Sequence, residues 1–212
     1  MLETKDLIIL SLSFISLLVS LSTLYFTQLS IARVQIMAGE HLNIGHFPEG
    51  NLNVSLPVTF VNHGARTAIV RRVALLVQTP GSSEGYLLEP VFFQRIDEKG
   101  DFLHDTLPIP IGIGAKENVT KQVLFRSSYE QPTEFQLINS GTYVFTLLGW
   151  IKEVVNPDVS DSFSIIISKE AATNLQDNLA SKSGSTERIP QAAWRNWTAR
   201  SLTEFQVKGL IS

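Results

Sequence analysis

The chain of 212 residues contains no cysteine, only two methionines and only four histidines. Without cysteine there is no disulfide, no thiolate nucleophile, no cysteine-ligated zinc or iron–sulfur centre and no lipid-modified cysteine. Charge is scarce as well: Asp, Glu, Lys and Arg make up 17% of the chain, against about 25% in an average globular protein. The deficit is local, because the 26 residues from Leu7 to Ala32 carry no formal charge. Basic clusters are missing too. The net charge is −3 and Arg71-Arg72 is the only adjacent basic pair, whereas binding a phosphate backbone requires grouped Lys and Arg. Nucleic acid is therefore not an expected partner.

What is present begins with the uncharged run. A bilayer core of about 30 Å needs roughly 20 mostly apolar residues in a helix. A cleaved signal would have a shorter apolar run and end in small residues, but this one ends in Leu24-Tyr25-Phe26-Thr27-Gln28. Residues 1–6 are thus read as a short flank and 7–28 as an uncleaved transmembrane helix in contact with the lipid bilayer, with Tyr25 and Phe26 at headgroup level. Lys5 and the amino terminus face Arg33 across the span. That margin favours a cytoplasmic N-terminus and an extracytoplasmic body.

Within the span, Ser13, Ser16, Ser20, Thr23 and Thr27 recur at steps of 3, 4, 3 and 4. On a helix they form one seam, and Ser16 and Ser20 make a small-xxx-small pair of the kind that lets helices approach closely. The seam is a candidate face for self-association or for a membrane protein partner. The competing reading is that each hydroxyl bonds to its own i−4 carbonyl and has no partner.

From Ile31 to Ser168 the pattern changes to short runs rich in β-branched and aromatic residues, bounded by Gly, Pro, Asn and Asp. Residues 32–41, 52–62, 67–79, 86–96, 117–126, 142–152 and 162–168 are the expected strands. Their spacing, with no long amphipathic helix between them, predicts an all-β, antiparallel β-sandwich over 31–168. Alternation over 67–77 places Ile69, Arg71, Val73, Leu75 and Val77 on one face of a central strand. Asn62-His63-Gly64-Ala65-Arg66 reads as a turn with exposed polar tips, the alternative being a binding loop built on His63 and Arg66.

Residues 169–187 are poor in large apolar side chains and read as a short helix entering a flexible linker. Residues 1–32, 33–168 and 169–212 carry −1, −4 and +2, which supports a separate, partly helical or flexible tail over 169–212. Trp194 and Trp197 lie three apart with Arg195 and Arg200 nearby. They are candidate docking residues for a membrane surface or partner, unless they fold back on the sandwich.

No chemical motif survives inspection. Gly81-Ser82-Ser83-Glu84-Gly85 has the G-x-S-x-G form of a nucleophile elbow, but that motif requires a strand turning into a helix, and a strand-like run follows here. His41 and His46 are five apart across a Gly-containing turn, and with His63 and His104 they lack metal-ligand spacing. Asp97, Glu98, Asp101 and Asp105 do not alternate as calcium ligands do. The sequons at Asn53, Asn118 and Asn196 matter only in a eukaryotic secretory route. No catalytic residue, cofactor or metal is assigned.

Ser140-Gly141-Thr142-Tyr143-Val144-Phe145 resembles the entry to a late strand of immunoglobulin-like and fibronectin-like sandwiches, where the tyrosine hydroxyl bonds back to nearby backbone. Residues 107–117 resemble the proline-rich crossing that precedes a mid-domain strand in such folds. The whole chain resembles uncharacterised single-pass microbial membrane proteins with one immunoglobulin-like sandwich. That resemblance implies an anchored, non-catalytic binding or structural module. An accessory subunit of a membrane complex is the alternative, and an enzyme is the least supported reading.

Overall fold

A computed structural model describes residues 4–46, 50–79, 85–96, 102–108, 110–127, 139–152, 155–182, 186–195 and 207–208. The uncharged run forms helix α1, Thr4–Leu24, continued by a π-helical turn over Tyr25–Leu29. Neither Gly nor Pro interrupts it, and several hydroxyls bond within it, including Ser11 to the Leu7 carbonyl (2.8 Å) and Thr23 to that of Val19 (2.8 Å). Its large apolar side chains are all 42–66% exposed.

Among the described residues thirteen strands follow: β1 Val34–Ala38, β2 His41–His46, β3 Leu52–Asn62, β4 Ala68–Val70, β5 Arg72–Gln78, β6 Gly85–Ile96, β7 Phe102–Thr106, β8 Ile111–Ile113, β9 Asn118–Ser127, β10 Gly141–Trp150, β11 Val159–Ile167, β12 Thr186–Arg195 and β13 Val207–Lys208, with helix α2 (Lys169–Ser181) between β11 and β12. Among the described residues eleven of the twelve strand pairings are antiparallel and five join sequential neighbours, and the main sheet closes on itself. The circuit runs β3, β2, β12, β11, β10, β5, β6, β9 and back to β3. β13 lies parallel to β6, and β4 and β8 form a separate two-stranded sheet.

Closure depends on two long strands that each serve several partners. β3 pairs with β9 along one edge. Along the other it holds β2 through residues 52–55 and β1 through 58–62. Pro57 falls in the gap between those partners, where its missing N–H interrupts no ladder. β6 pairs with β5 through 85–88 and with β9 through 88–94, with a bulge between Pro90 and Phe92. Bulges bend and twist a strand, and this one lies just beyond the point where β6 ends its pairing with β5 and continues along β9.

The core lies between the layers. Phe60, Phe125, Phe145 and Phe163 are fully buried, and Phe145 stacks on its cross-strand partner Phe163 at 5.6 Å. A second apolar cluster of Ala74, Leu76, Leu87, Leu148 and Trp150 occupies the opposite face of β5 and β10. β5 is therefore buried on both sides, as expected of a central strand.

Three readings change. The alternation over 67–77 breaks at Arg71: Ile69 is exposed and Val70 is buried with Val73, Leu75 and Val77, so the phase shifts between β4 and β5. Residues 41–46 are a strand, although Gly45 and two histidines make them look like a turn. Beyond Ser168 the sheet continues. α2 packs Ala172 and Leu175 inward, and β12 inserts between β2 and β11, so residues 186–195 are part of the sandwich and not of a separate tail over 169–212. Non-local pairing holds β12, and only Ile189 is buried among its first five residues.

Candidate functional site: the junction of helix and sandwich

The chain leaves α1 through Ser30–Arg33, and the turn after β3 grips this segment. Asn62, 1% exposed, is the centre of the grip. Its Oδ1 accepts from the backbone N–H of Arg33 (3.2 Å) and of Gly64 (2.9 Å). Its Nδ2 donates to the carbonyls of Arg66 (2.7 Å) and Gly114 (2.9 Å). One side chain thus joins the helix exit, the β3–β4 turn and the β8–β9 turn. The short polar Asn at a strand end suits this role because it can bond to backbone on both sides of a turn.

Further backbone bonds close the knot. His63 N–H donates to the Arg33 carbonyl (2.9 Å), Ala65 N–H to the Ser30 carbonyl (3.2 Å) and hydroxyl (3.1 Å), and Lys116 N–H to the Gly64 carbonyl (3.1 Å). Gly64 is required by contact: a Cβ there would overlap the Ile31 carbonyl oxygen and stand 2.6 Å from Ala32 Cα. Lys116 holds a left-handed backbone (φ 55°) at the tip of the neighbouring turn. His63 is exposed and its ring meets Gln35 Oε1 at 3.3 Å. The expected exposed turn is therefore a clasp; the Asn-x-Gly pattern marked a turn, but not what it would hold.

Buried polar groups lie elsewhere in the body. Asp161 Oδ2 accepts from Ala38 N–H (2.9 Å), tying β1 to β11, and burial pushes its carboxyl above the usual range. Ser55, Gln94 and Gln122 form a chain of bonds of 2.6 and 2.8 Å. Thr146 and Ser162 bond across β10 and β11 at 2.8 Å. His46 is 1% exposed, among the described residues neither ring nitrogen has a partner, and burial holds its pKa below the ordinary histidine value. Tyr143 Oη donates to the Asn139 carbonyl (3.0 Å), the backward bond expected of that residue, and burial pushes its phenol up.

The remaining candidates separate. Ser13, Ser16 and Ser20 line a shallow groove on α1 with Leu12 and Leu17, while Thr23 and Thr27 bond back to the carbonyls of Val19 and Thr23. Trp194 lies in β12 opposite Phe163; Trp197 lies outside the described residues, as do Ser83, Asp97, Glu98, Asp101 and Asn196. The histidines are not gathered: His41 is exposed, His46 buried and His63 at the clasp, and His104 pairs with Gln94 in β7. Asn53 is buried between Gly45 and Arg126, a position closed to a glycan.

Among the described residues no group of three His, Cys, Asp or Glu could hold a metal ion. A cleft lined by Val70, Arg71, Arg72, Val73, Pro90, Phe93, Pro108 and Ile111 measures about 70 Å³. Small-molecule sites run to roughly 300–1,000 Å³. Beside it Arg72 pairs with Glu89 (2.8 Å) and lies over the Trp150 ring at 4.9 Å, so its charge is already engaged.

These features define a mostly antiparallel β-sandwich protein, closed at its edges and joined through a hydrogen-bonded clasp to an apolar helix long enough to cross a membrane. No family model matches the chain, and no curated protein matches it. Among solved structures it is similar to an uncharacterized beta-sandwich protein from Clostridium difficile 630, at 10% identity and a TM-score of 0.31, over 62% of this chain and 87% of that one.

Proposed function

We propose that the chain is a single-pass membrane protein that presents its sandwich, as a non-catalytic binding or structural module, close to the extracytoplasmic face of a bilayer. The observation that carries this reading is the clasp. An apolar helix whose side chains are all exposed needs an apolar environment, and here its exit is bonded into the body by Asn62, His63 and Ala65. A leader meant for removal has no use for such a joint. The helix and its π turn total 26 residues, about 39 Å at 1.5 Å per residue, enough to span with some tilt. The bond from Tyr143 to Asn139 supports an immunoglobulin-like relationship for the sandwich.

Because the chain has no cysteine, Ser140→Cys creates a unique label on an exposed turn. The protein should stay in the membrane pellet through an alkaline wash, and Cys introduced at 140 should react with an impermeant maleimide in sealed spheroplasts. Release by the wash rejects the anchor; labelling only after lysis reverses the orientation.

A second reading, an accessory subunit of a membrane complex, is favoured by the seam on α1. Ser13, Ser16 and Ser20 line one groove, in which the helix backbone is open to close approach. Co-purification of a stoichiometric membrane protein in mild detergent supports this reading, and a chain that runs alone as a monomer rejects it.

A further inference from the structure

The clasp does more than fix the helix: it gathers three cations at its exit. Arg33 and Arg66 present their backbone to the same Asn62 side chain, and Lys116 N–H bonds to Gly64, two residues from Asn62. In sequence these residues are 33 and 50 positions apart; in the fold one hydrogen-bonded knot holds all three. Each is exposed, and among the described residues none of the three side chains makes an ion pair or hydrogen bond. The acid within the knot, Glu117, turns its carboxylate onto Gly114 N–H (2.7 Å). The left-handed backbone at Lys116 carries its side chain at the tip of the β8–β9 turn.

The depth of this collar follows from the helix. Leu7 to Phe26 is 20 residues, or about 30 Å of helix, one hydrocarbon thickness. Leu29 and Ile31, 47% and 65% exposed, come next, and the knot begins at Ser30. Arg33, Arg66 and Lys116 are thereby held at headgroup level.

We propose that Arg33, Arg66 and Lys116 form a membrane-proximal collar that binds anionic lipid headgroups and orients the sandwich on the bilayer. This rests on the reading of α1 as a membrane span. The collar is basic in a body that carries −4 over residues 33–168, so the attraction is confined to this rim while the rest of the surface is repelled by an anionic membrane. The positive-inside rule does not count Arg66 and Lys116, which lie far from the span in sequence. Their clustering is a property of the folded state.

The test reconstitutes the full chain in phosphatidylcholine vesicles with a minor fraction of spin-labelled phosphatidylglycerol or, separately, spin-labelled phosphatidylcholine, and measures which lipid the protein retains at its boundary. Each cation near an anionic surface is worth about fivefold. Wild type should prefer phosphatidylglycerol by about fivefold or more at low salt, a preference that 0.5 M salt, with a Debye length of roughly 4 Å, largely abolishes. Arg66→Gln with Lys116→Asn, Asn being tolerant of the left-handed conformation, should lower the preference at least about fivefold, to what Arg33 alone retains. Arg66→Lys with Lys116→Arg should keep it. Equal retention of both lipids by integrated wild type, or an undiminished preference in the neutral variant, overturns the collar. A chain that the alkaline wash strips from both vesicles overturns the membrane reading with it, and that failure is seen before any lipid preference is measured.

Discussion

α1 and the sandwich core are built from the same apolar residue types and treat them oppositely. Phe14 in the helix is 60% exposed, whereas Phe145 in β10 is fully buried against Phe163. The core is stable because the protein itself removes its side chains from water; the helix leaves that to its surroundings. In detergent solution the two regions should therefore respond very differently to the same deletion. Phe145→Ala should lower unfolding stability, followed by near-UV circular dichroism in urea, by about 3–5 kcal/mol, the usual cost of a large cavity. Phe14→Ala should leave the midpoint within about 0.5 kcal/mol of wild type. Equal effects would mean that helix and core unfold as one unit.

The clasp is where the two regions meet, and Asn62 tests whether they are coupled. Asn62→Ala would strand the buried N–H of Gly64 and the part-buried backbone groups of Arg33, Arg66 and Gly114, each unsatisfied group costing about 1–3 kcal/mol when water cannot reach it. Partial access of water makes a total of roughly 2–3 kcal/mol the expected loss. A sharper readout is trypsin, which cuts after Arg33. The wild-type junction should resist, and Asn62→Ala should release the sandwich from α1 while its strands are still folded. Unchanged cleavage would mean that the joint is flexible despite its bonds.

Next in size is a contrast within the sandwich, between its apolar interior and His46, which is buried there. Burial lowers the pKa of His46 in the folded state. The unfolded chain, with a histidine near 6.5, takes up a proton first as pH falls. Stability is then complete above pH 6.5 and declines below it, by at most ~1.4 kcal/mol per pH unit for one group. Asp161 acts in the opposite sense: its raised pKa makes the folded state bind its proton more tightly, so that folding gains stability as pH falls toward the ordinary value of 3.8. His46→Leu should flatten the urea midpoint between pH 7 and 5. A slope that persists would assign the dependence to other groups.

Sequence pattern and structure agree best where burial is local. β3 occupies residues 52–62, the span that its β-branched run predicts, and β6, β9 and β10 start and stop within two residues of expectation. The run of small and polar residues in β12, with Pro190 inside it, carries little strand signal. Its place is set by β2 and β11, which are distant in sequence, and propensity is blind to a partner that arrives from elsewhere. β2 was hidden likewise, since Gly45 reads as a turn until Asn53 and Thr186 are found on either side of it. The apolar helix was plain from composition. The clasp was half legible: Asn62 and Gly64 announced a turn, but contact with Ser30–Arg33 depends on the closed sheet bringing β1 alongside β3.

The smallest expected effect belongs to the seam of α1, and it separates the two threonines from the serines beside them. Thr23 and Thr27 satisfy their hydroxyls on the helix backbone, so they gain little from a neighbour. Ser16 and Ser20 lie in the groove, where a second helix could come within reach of the backbone. Hydrogen bonds between membrane helices average about 0.6 kcal/mol each, so two such bonds correspond to a change in association of roughly fivefold to tenfold. Ser16→Leu with Ser20→Leu should fill the groove and weaken association by about that factor in a membrane two-hybrid assay, whereas Thr23→Val with Thr27→Val should change it by less than about twofold. Equal losses from both pairs would mean that any polar residue on this helix promotes contact, and no loss from the serine pair would leave the groove without a partner and α1 as an anchor only.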